Sequence, residues 1–320
     1  MKQPKTESAD KTSRRLDEAA RAAWLYYISG KTQDEIAAVM GVSRQSAQRL
    51  VSLAMSSGLV KVRIDHPISH CLNLAETLKA RLGLEYCDVV PTLPGSDGLT
   101  GVAHAAADVI ERWLARDAAL VMGLGTGRTL RAAIELLPRL DCDQHRIVSL
   151  TGNIAPDGST AYYNVLFSIA DRVSAPTFPI PMPVIAASAE ERDTLLAQKT
   201  IAATRAMAAR ADVSIVGIGQ VDAAAPLVLD GFLARAELGA LQAAGAVGEI
   251  LGWVFDRDGQ LIEGLSNTRV SSAPLRAGQG APVIAAACGP AKVAGILGAI
   301  RGGRITGLVT DEATAEALLA

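Results

Sequence analysis

The chain has 320 residues, of which 49 % are hydrophobic, 20 % charged and only 4 % aromatic. This composition excludes a disordered chain, and the shortage of aromatic residues argues against an aromatic-rich β-sandwich. The net charge is −2, but it is unevenly distributed. Residues 1–65 contain 11 Lys or Arg and 7 Asp or Glu, whereas residues 66–320 contain 20 Lys or Arg and 26 Asp or Glu. A basic module joined to an acidic body is therefore predicted, with one domain in each of these two ranges.

We expect neither a secretion signal nor a membrane span. Its first residues are polar and charged. The longest apolar run, residues 281–300, is interrupted by Gly289, Pro290 and Lys292, which argues against a membrane span. The four cysteines lack CxxC spacing and have no histidine at metal-ligand spacing. We expect a cytoplasmic protein with buried, reduced thiols, no membrane partner, no metal and no cofactor.

The amino-terminal domain begins with a predicted amphipathic helix, and two shorter helices follow. Apolar residues recur at helical spacing in the first helix, namely Leu16, Ala19, Ala20, Ala23, Trp24 and Tyr27. Thr32 and Glu35 have the spacing of a capping box, which predicts a second helix over residues 33–40. Gly41 can then take the positive φ of a turn, and Ser43 can cap a third helix. Two short helices joined by such a turn predict a helix-turn-helix.

The outward face of the third helix is predicted to contact DNA. Candidate contacts on this helix and at the start of the second are Thr32, Gln33, Ser43, Arg44, Gln45, Gln48 and Arg49. Arginine and glutamine can form paired hydrogen bonds with guanine and adenine edges in the major groove. The alternative is a helical hairpin that only mediates dimer contacts, which would need an apolar stripe on this face. Residues 58–64 then alternate like a strand that leads towards the next domain.

The carboxy-terminal domain repeats the pattern of apolar strand, glycine turn and helix. The candidate strands are residues 86–90, 119–123, 146–150, 213–218, 250–255, 283–287 and 305–309. Helices are predicted between them, for example over residues 103–114 and 190–210. Unbroken apolar strands are typical of a parallel sheet covered on both faces. We predict a doubly wound, mostly parallel α/β domain, in which ligands bind beyond the carboxyl ends of the strands.

Four glycine-containing loops follow predicted strands and would meet at one edge of the sheet: GLGTGRT, LTGN, GIGQVD and AACGPAK. The first is not a Walker A loop, because no Gly-Lys-Ser/Thr follows it. It also lacks the acidic partner of a dinucleotide site. It offers backbone N–H groups, two hydroxyls and a guanidinium, from Gly125, Thr126, Gly127, Arg128 and Thr129. These groups suit a phosphate monoester.

Three residues outside that loop are further candidates for the pocket. Lys292 is predicted in the first turn of a helix, where the helix dipole opposes a positive side chain and a bound anion would offset that effect. Asn164 and Glu249 could accept hydrogen bonds from sugar hydroxyls. Lys292 and Arg128 could instead be solvated or paired with acidic neighbours, and the sequence leaves these alternatives open.

Four segments carry a resemblance to a known family: TQDEIAAVMGVSRQSAQRLVSLAMSSGLV, GLGTGRTL, GAVGEILGWVFDRDG and VIAAACGPAKVAGILGAIRGGRITGLVTDEATA. Over nearly its whole length the chain resembles the SorC family of sugar-responsive bacterial transcriptional regulators. The resemblance implies an effector domain similar in fold to ribose-5-phosphate isomerase and glucosamine-6-phosphate deaminase. It implies a phosphorylated sugar as effector and tetramers on paired operator half-sites. Glu249 stands where many members carry aspartate.

We therefore predict a transcriptional regulator of a carbohydrate or polyol operon, with double-stranded operator DNA and a sugar-phosphate effector as partners. The predicted assembly is a homodimer or tetramer. One alternative is a sugar-phosphate isomerase or deaminase-like enzyme with an added helix-turn-helix. Such an enzyme needs a carboxylate base facing the sugar, for which Glu249, Asp256 and Asp222 are candidates. A second alternative is a regulator whose effector is an unphosphorylated polyol.

Overall fold

A computed structural model describes residues 6–60, 69–92, 95, 98–159, 165–274 and 280–320, with side chains from residue 14 onwards. The chain forms two compact units, Met1–His66 and Pro67–Ala320. Among the residues described, no helix has both the length and the apolar character needed to cross a bilayer.

The amino-terminal unit contains α1 (Thr6–Tyr27), α2 (Gln33–Met40) and α3 (Arg44–Ser56). The predicted capping box is confirmed, since the Thr32 N–H donates to Glu35 Oε2 at 2.7 Å and the Glu35 N–H donates to Thr32 Oγ1 at 3.4 Å. Gly41 takes the left-handed conformation with φ 67°. The Ser43 Oγ accepts from the Ser46 N–H at 3.2 Å. These local signals set the geometry of α2, the turn and α3.

The core of this unit is built largely from small side chains. Its buried residues include Ala19, Ala22, Ala23, Ile36, Ala47 and Leu50. The predicted stripe on α1 is wrong in part, because Ala20 and Tyr27 are exposed and Trp24 is 58 % exposed. Alanines allow α1 and α3 to pack closely, where an indole ring would not fit. The predicted strand over residues 58–64 lies largely outside the described residues, and residues 58–60 are not in a strand.

The carboxy-terminal unit is an α/β domain. Its strands are β1 (Tyr86–Val90), β2 (Val121–Leu124), β3 (Arg146–Ile154), β4 (Thr177–Pro183), β5 (Val213–Gly217), β6 (Ala246–Ile250), β7 (Trp253–Asp256), β8 (Val283–Ala286) and β9 (Gly307–Asp311). Its helices are α4 (Ser69–Leu82), α5 (Leu99–Leu114), α6 (Arg128–Leu136), α7 (Val165–Ala170), α8 (Ala189–Leu196), α9 (Lys199–Ala208), α10 (Pro226–Leu229), α11 (Arg235–Ala243), α12 (Val293–Arg301) and α13 (Glu312–Leu319). Short 3-10 helices span Leu265–Arg269 and Pro290–Lys292.

A parallel sheet with helices on both faces forms the body of this unit. The strand order is β1-β9-β8-β5-β2-β3-β4. Helices α5, α6 and α7 contribute to the core on one face, and α4, α9, α12 and α13 contribute to the core on the other. In β8, Ile284 and Ala286 belong to the first core and Ala285 to the second, as the alternation of a strand requires. The predicted fold class is confirmed.

Residues 250–255, predicted as one strand, instead form part of a hairpin. Strands β6 and β7 pair antiparallel, with Ile250 opposite Trp253. Leu251 and Gly252 have φ values of 57° and 85°, as in the two-residue turns that match the twist of a hairpin. The glycine inside an apparent strand was a signal for this turn.

The sequence does not predict β4, because Pro179, Pro181 and Pro183 interrupt it. Alternate N–H groups along a strand point to the same edge, so prolines spaced by two remove donors from one edge only. The LTGN segment lies inside β3 and is not a loop. Its Gly152 is closely packed against β4, since a Cβ there would be 2.1 Å from the Met182 carbonyl oxygen. The helix predicted over residues 190–210 is divided into α8 and α9.

Candidate functional site

The residues predicted to contact DNA lie on the surface of the amino-terminal unit. Gln33 is half-buried, and the exposed ones are Thr32, Ser43, Arg44, Gln45, Gln48 and Arg49. Every exposed side chain from residue 43 to residue 49 is polar, because the one apolar residue of this stretch, Ala47, is buried in the core of the unit. The start of α3 therefore presents a polar, donor-rich surface of the kind that enters a major groove.

Three of these residues already have partners within the unit, and one of them is Ser43, whose Oγ accepts from the Ser46 N–H in the cap of α3. The Thr32 hydroxyl donates to Glu35 Oε2 at 2.9 Å, so it is engaged in the helix cap. The Arg44 Nε lies 3.5 Å from Asp34 Oδ1, and both side chains are 69 % exposed. An exposed ion pair of this kind contributes about 0.2–1 kcal/mol, so Arg44 can exchange this partner for DNA.

The carboxy-terminal unit contains a cavity of about 390 Å³ at the carboxyl ends of β2, β5 and β8, which are adjacent in the sheet. Three of the four predicted glycine loops line it, through residues 126–130, 217–220 and 288–292. The LTGN segment does not line it, because it is part of β3. Cavities of this size, beyond the strand ends of a doubly wound sheet, are typical sites for small ligands.

The start of α6 forms one wall of the cavity. Gly127 precedes the helix with φ 127° and, as a glycine, has no side chain with which to cap the first N–H groups of α6. These N–H groups and the helix dipole favour an anion. Arg128 and the buried Thr129 line the same wall, together with Thr126. Gly125 is buried, and its N–H donates to the Ile215 carbonyl at 2.8 Å.

Lys292 and Glu249 also line the cavity, and both residues are half-buried. Burial lowers the pKa of Lys292; Cys288 and Glu249 oppose this effect, and Arg128 reinforces it. Burial raises the pKa of Glu249, whereas the Gly252 N–H, 2.8 Å from its Oε2, and Lys292 oppose the rise. Within the described ranges, neither Lys292 nor Arg128 forms a salt bridge. The predicted candidate Asn164 lies outside the described residues.

The β6–β7 hairpin holds Glu249 in position. Gly219 and Glu249 exchange two backbone hydrogen bonds, of 2.9 and 3.0 Å, which pair β6 with the loop after β5. A Cβ on Gly219 would be 2.0 Å from Glu249 Oε1, so a glycine is needed there to leave room for the carboxylate. Leu251 is buried in a left-handed conformation and lies next to Gly125, beside the cavity. The positive φ of Leu251 belongs to the hairpin turn, which thereby brings this side chain to the edge of the cavity.

The cavity also contains polar residues that the sequence did not predict, namely Gln220, Asp230 and Cys288. Gln220 and Cys288 belong to glycine loops that were recognised, so their position could have been inferred. Asp230 follows the four-residue α10, and no local pattern marks it. The structure describes all four cysteines, and none of them forms a disulfide. Only Cys71 and Cys142 are buried, so the expectation of four buried thiols is wrong for the other two.

Only one of the three candidate bases, Glu249, lines the cavity. The Asp256 carboxylate accepts from N–H groups within its own turn, and Asp222 accepts from the Ala224 N–H at 2.8 Å. Both carboxylates therefore serve local backbone structure. In the part of the chain that the structure describes, no three His, Cys, Asp or Glu side chains are grouped so as to hold a metal ion.

Comparison with known proteins identifies relatives along the whole chain. Residues 66–320 match the family model described as "Putative sugar-binding domain". The erythritol catabolism regulatory protein EryD of Brucella abortus is 38 % identical over 303 residues, covering 94 % of this chain and 96 % of EryD. The transcriptional regulator LsrR of Klebsiella pneumoniae is 31 % identical over 305 residues, covering 94 % and 92 %. The full-length sorbitol operon regulator SorC of Klebsiella pneumoniae superposes with a TM-score of 0.69 at 26 % identity, over 95 % of this chain and 99 % of SorC.

A helix-turn-helix unit and a sugar-binding α/β body define a class of protein, the sugar-binding transcriptional regulators. The family match covers most of the chain, and EryD and LsrR match it nearly from end to end. The chain belongs to the SorC family of these regulators, as its sequence motifs indicated.

Proposed function

We propose that residues 1–65 bind operator DNA through α3, and that the cavity in residues 66–320 binds a sugar phosphate or polyol phosphate. Binding of this effector changes the affinity for DNA and so controls a carbohydrate or polyol operon. The observation that supports this proposal most strongly is the wall of the cavity where the uncapped start of α6 stands beside Arg128 and Lys292.

A phosphate in this position would receive hydrogen bonds from the first N–H groups of α6 and from the Thr129 hydroxyl. It would also bring negative charge to Arg128 and Lys292. Burial lowers the pKa of Lys292 in the unliganded protein, and a neighbouring anion would favour its charged form. Effector binding would therefore raise the pKa of Lys292.

Among these phosphates, the effector is proposed to be that of a linear polyol. EryD is named for erythritol catabolism and SorC for the sorbitol operon, and both substances are polyols. The polar residues on the rest of the cavity surface, Glu249, Gln220 and Asp230, can accept hydrogen bonds from hydroxyl groups. An unphosphorylated polyol is the alternative effector, and it would leave the uncapped start of α6 without an anionic ligand.

The protein is proposed to be a sensor and not an enzyme. Relatives that align along nearly the whole chain are named as regulators. A sugar isomerase needs a general base whose proton transfers to and from carbon. Glu249 is the cavity carboxylate among the predicted bases, and its Oε2 is engaged by the Gly252 N–H. This arrangement suits a residue that orients a hydroxyl.

Operator binding is proposed to require a homodimer or a tetramer. A two-fold operator needs two recognition helices about 34 Å apart, one helical turn of DNA, and a single α3 cannot provide both. The carboxy-terminal bodies would hold the subunits together. The regulator would act in the cytoplasm, where bacterial operator DNA is found.

A thermal-shift screen of the full chain tests this function. Erythritol, sorbitol, their phosphates and other sugar phosphates are compared, and each ligand found is added to an operator-binding assay. An effector at about 100 times its dissociation constant should stabilise the fold by about 2.7 kcal/mol. Thr129→Ala and Lys292→Ala should remove this stabilisation, whereas Arg139→Ala, which changes an exposed cation outside the cavity, should retain it.

Three outcomes would contradict parts of the proposal. Binding of free polyols without their phosphates would show that the phosphate assignment is wrong. Conversion of a sugar phosphate to a product would identify an enzyme. A ligand that stabilises the protein without changing its affinity for the operator by at least about fivefold would not be its effector.

A further inference from the structure

Asp230 is a cavity carboxylate that the proposed function treats only as one of three acceptors for hydroxyl groups. Its backbone N–H donates to the Pro226 carbonyl at 2.8 Å and closes the last turn of α10. Its side chain is half-buried and lines the cavity beside the apolar Leu227 and Phe232. Within the described chain, this side chain makes no hydrogen bond and no ion pair. A partly buried carboxylate without a protein partner requires donors from water or from a ligand.

The charged groups of the cavity are divided between two regions. Lys292 is influenced electrostatically by Arg128 and by Glu249, so these three groups are close to one another. Within the described residues, Asp230 forms no salt bridge with Arg128 or Lys292, although all three side chains line the same cavity. Burial raises the pKa of Asp230, and no charged side chain contributes to that shift. Asp230 therefore lines the same cavity but stands apart from its cations. Arg128 and Lys292, with Glu249 beside them, give one region of the cavity a net positive charge, and Asp230 forms an acidic region after α10.

We propose that Asp230 selects the chemical class of the effector, a phosphate monoester whose other end is an uncharged, hydroxyl-bearing chain. With the phosphate at the start of α6, Asp230 accepts hydrogen bonds from the hydroxyls at the remote end. It also repels a second anionic group at that end, because two like charges in a half-buried space are unfavourable. Linear polyol monophosphates are favoured, and phosphorylated sugar acids and bisphosphates are excluded. This inference rests on the proposed function.

Two pairs of compounds allow the effect of the group at the remote end of the ligand to be measured by itself. Sorbitol 6-phosphate and gluconate 6-phosphate differ only in a terminal CH₂OH or carboxylate, and so do erythritol 4-phosphate and erythronate 4-phosphate. We expect calorimetry on the full chain to give the alcohol of the bound pair an affinity at least about tenfold above that of the acid, or about 1.4 kcal/mol. Asp230→Asn should reduce this ratio to below about threefold, because the amide keeps the shape and removes the charge.

Two control variants accompany this measurement. Asp117→Asn removes an exposed carboxylate outside the cavity and should leave the ratio unchanged. Asp230→Ser, which also removes the charge, should reproduce the effect of Asp230→Asn and guards against a folding defect in one variant. A ratio near one in the wild-type chain, or an unchanged ratio in both Asp230 variants, would overturn the proposal.

Failure of the proposed function would be recognised separately. Thr129→Ala should remove the preference for phosphates over free polyols without changing the ratio of alcohol to acid. If only free polyols bind, the phosphate assignment is wrong, and the ratio of sorbitol to gluconate or of erythritol to erythronate tests Asp230 in the same way. If the wild-type chain binds no member of either series, selection for linear polyols is overturned together with the proposed effector.

Discussion

Gly219→Ala should displace a cavity residue while the fold is preserved. The new Cβ would lie 2.0 Å from Glu249 Oε1, 2.8 Å from Cδ and 2.9 Å from Cγ. Ordinary contact begins at about 3.4 Å, so the carboxylate must move by more than about 1 Å. The backbone of Gly219 does not have a positive φ, and its two hydrogen bonds to the Glu249 backbone can remain. The disturbance is thus confined to the side chain of Glu249.

The magnitude follows from the interaction that is lost. The Gly252 N–H lies 2.8 Å from Glu249 Oε2, and a shift of more than about 1 Å takes this contact beyond hydrogen-bonding distance. A hydrogen bond to a charged group contributes about 1.5–3 kcal/mol. We therefore expect Gly219→Ala to lower the free energy of unfolding by about 2 kcal/mol. Effector affinity should also fall, because the carboxylate that is proposed to bind hydroxyls leaves its position.

Urea denaturation of four proteins tests this reasoning: the wild type, each single variant and Gly219→Ala combined with Glu249→Ala. When Glu249 has been truncated, nothing remains for the new methyl group to displace. Gly219→Ala should then lower the free energy of unfolding by less than about 0.5 kcal/mol. The two changes should therefore show an interaction energy of about 1.5 kcal/mol or more. Additive effects would refute the assignment, since they would mean that the methyl group meets an obstacle other than the carboxylate.

Three further predictions concern DNA binding, pH and assembly. Arg44→Ala should weaken operator binding by about 1–3 kcal/mol if Arg44 contacts a base; unchanged affinity and base preference in footprinting would exclude that role. Burial raises the pKa of Glu249 above its value in the unfolded chain. The free energy of unfolding of the wild type should therefore fall as the pH rises from the unfolded pKa through the folded pKa of this group. Glu249→Gln should remove this loss in urea titrations from acidic to neutral pH. A stability that instead rises with pH relative to the Gln variant would show the shift to have the opposite sign. Sedimentation of the full chain should show a dimer or tetramer, and a monomer at micromolar concentration would contradict the proposed assembly.

The amino-terminal unit was largely predictable because its signals are local. The capping box of Thr32 and Glu35, the left-handed Gly41 and the Ser43 cap each act over three or four residues, so the sequence alone determines α2, the turn and the start of α3. The buried face of α1 was not predictable in this way. Ala20 and Ala22 are chemically identical, and only the approach of α3 decides which of them is buried.

The glycine loop that lines the cavity could also be recognised from the sequence, because a strand, a glycine turn and a helix start follow one another directly in residues 121–129. The parallel sheet follows from unbroken apolar strands for the same local reason. The strand β4 was missed because its three prolines are tolerated only on an edge strand. Whether a strand lies at an edge is a property of the sheet and not of the strand.

The composition of the cavity was decided by the tertiary structure. Residues 126–130, 217–220 and 288–292 are far apart in sequence and meet because β2, β5 and β8 are neighbours, an order that no local pattern encodes. Glu249 enters the cavity because the β6–β7 hairpin pairs with Gly219, and Asp230 enters it after α10. Local sequence determines caps, turns and helix starts, because those depend on backbone groups a few residues apart. Which side chains share a cavity depends on long-range packing, and so the acidic region of this site could be recognised only in the folded chain.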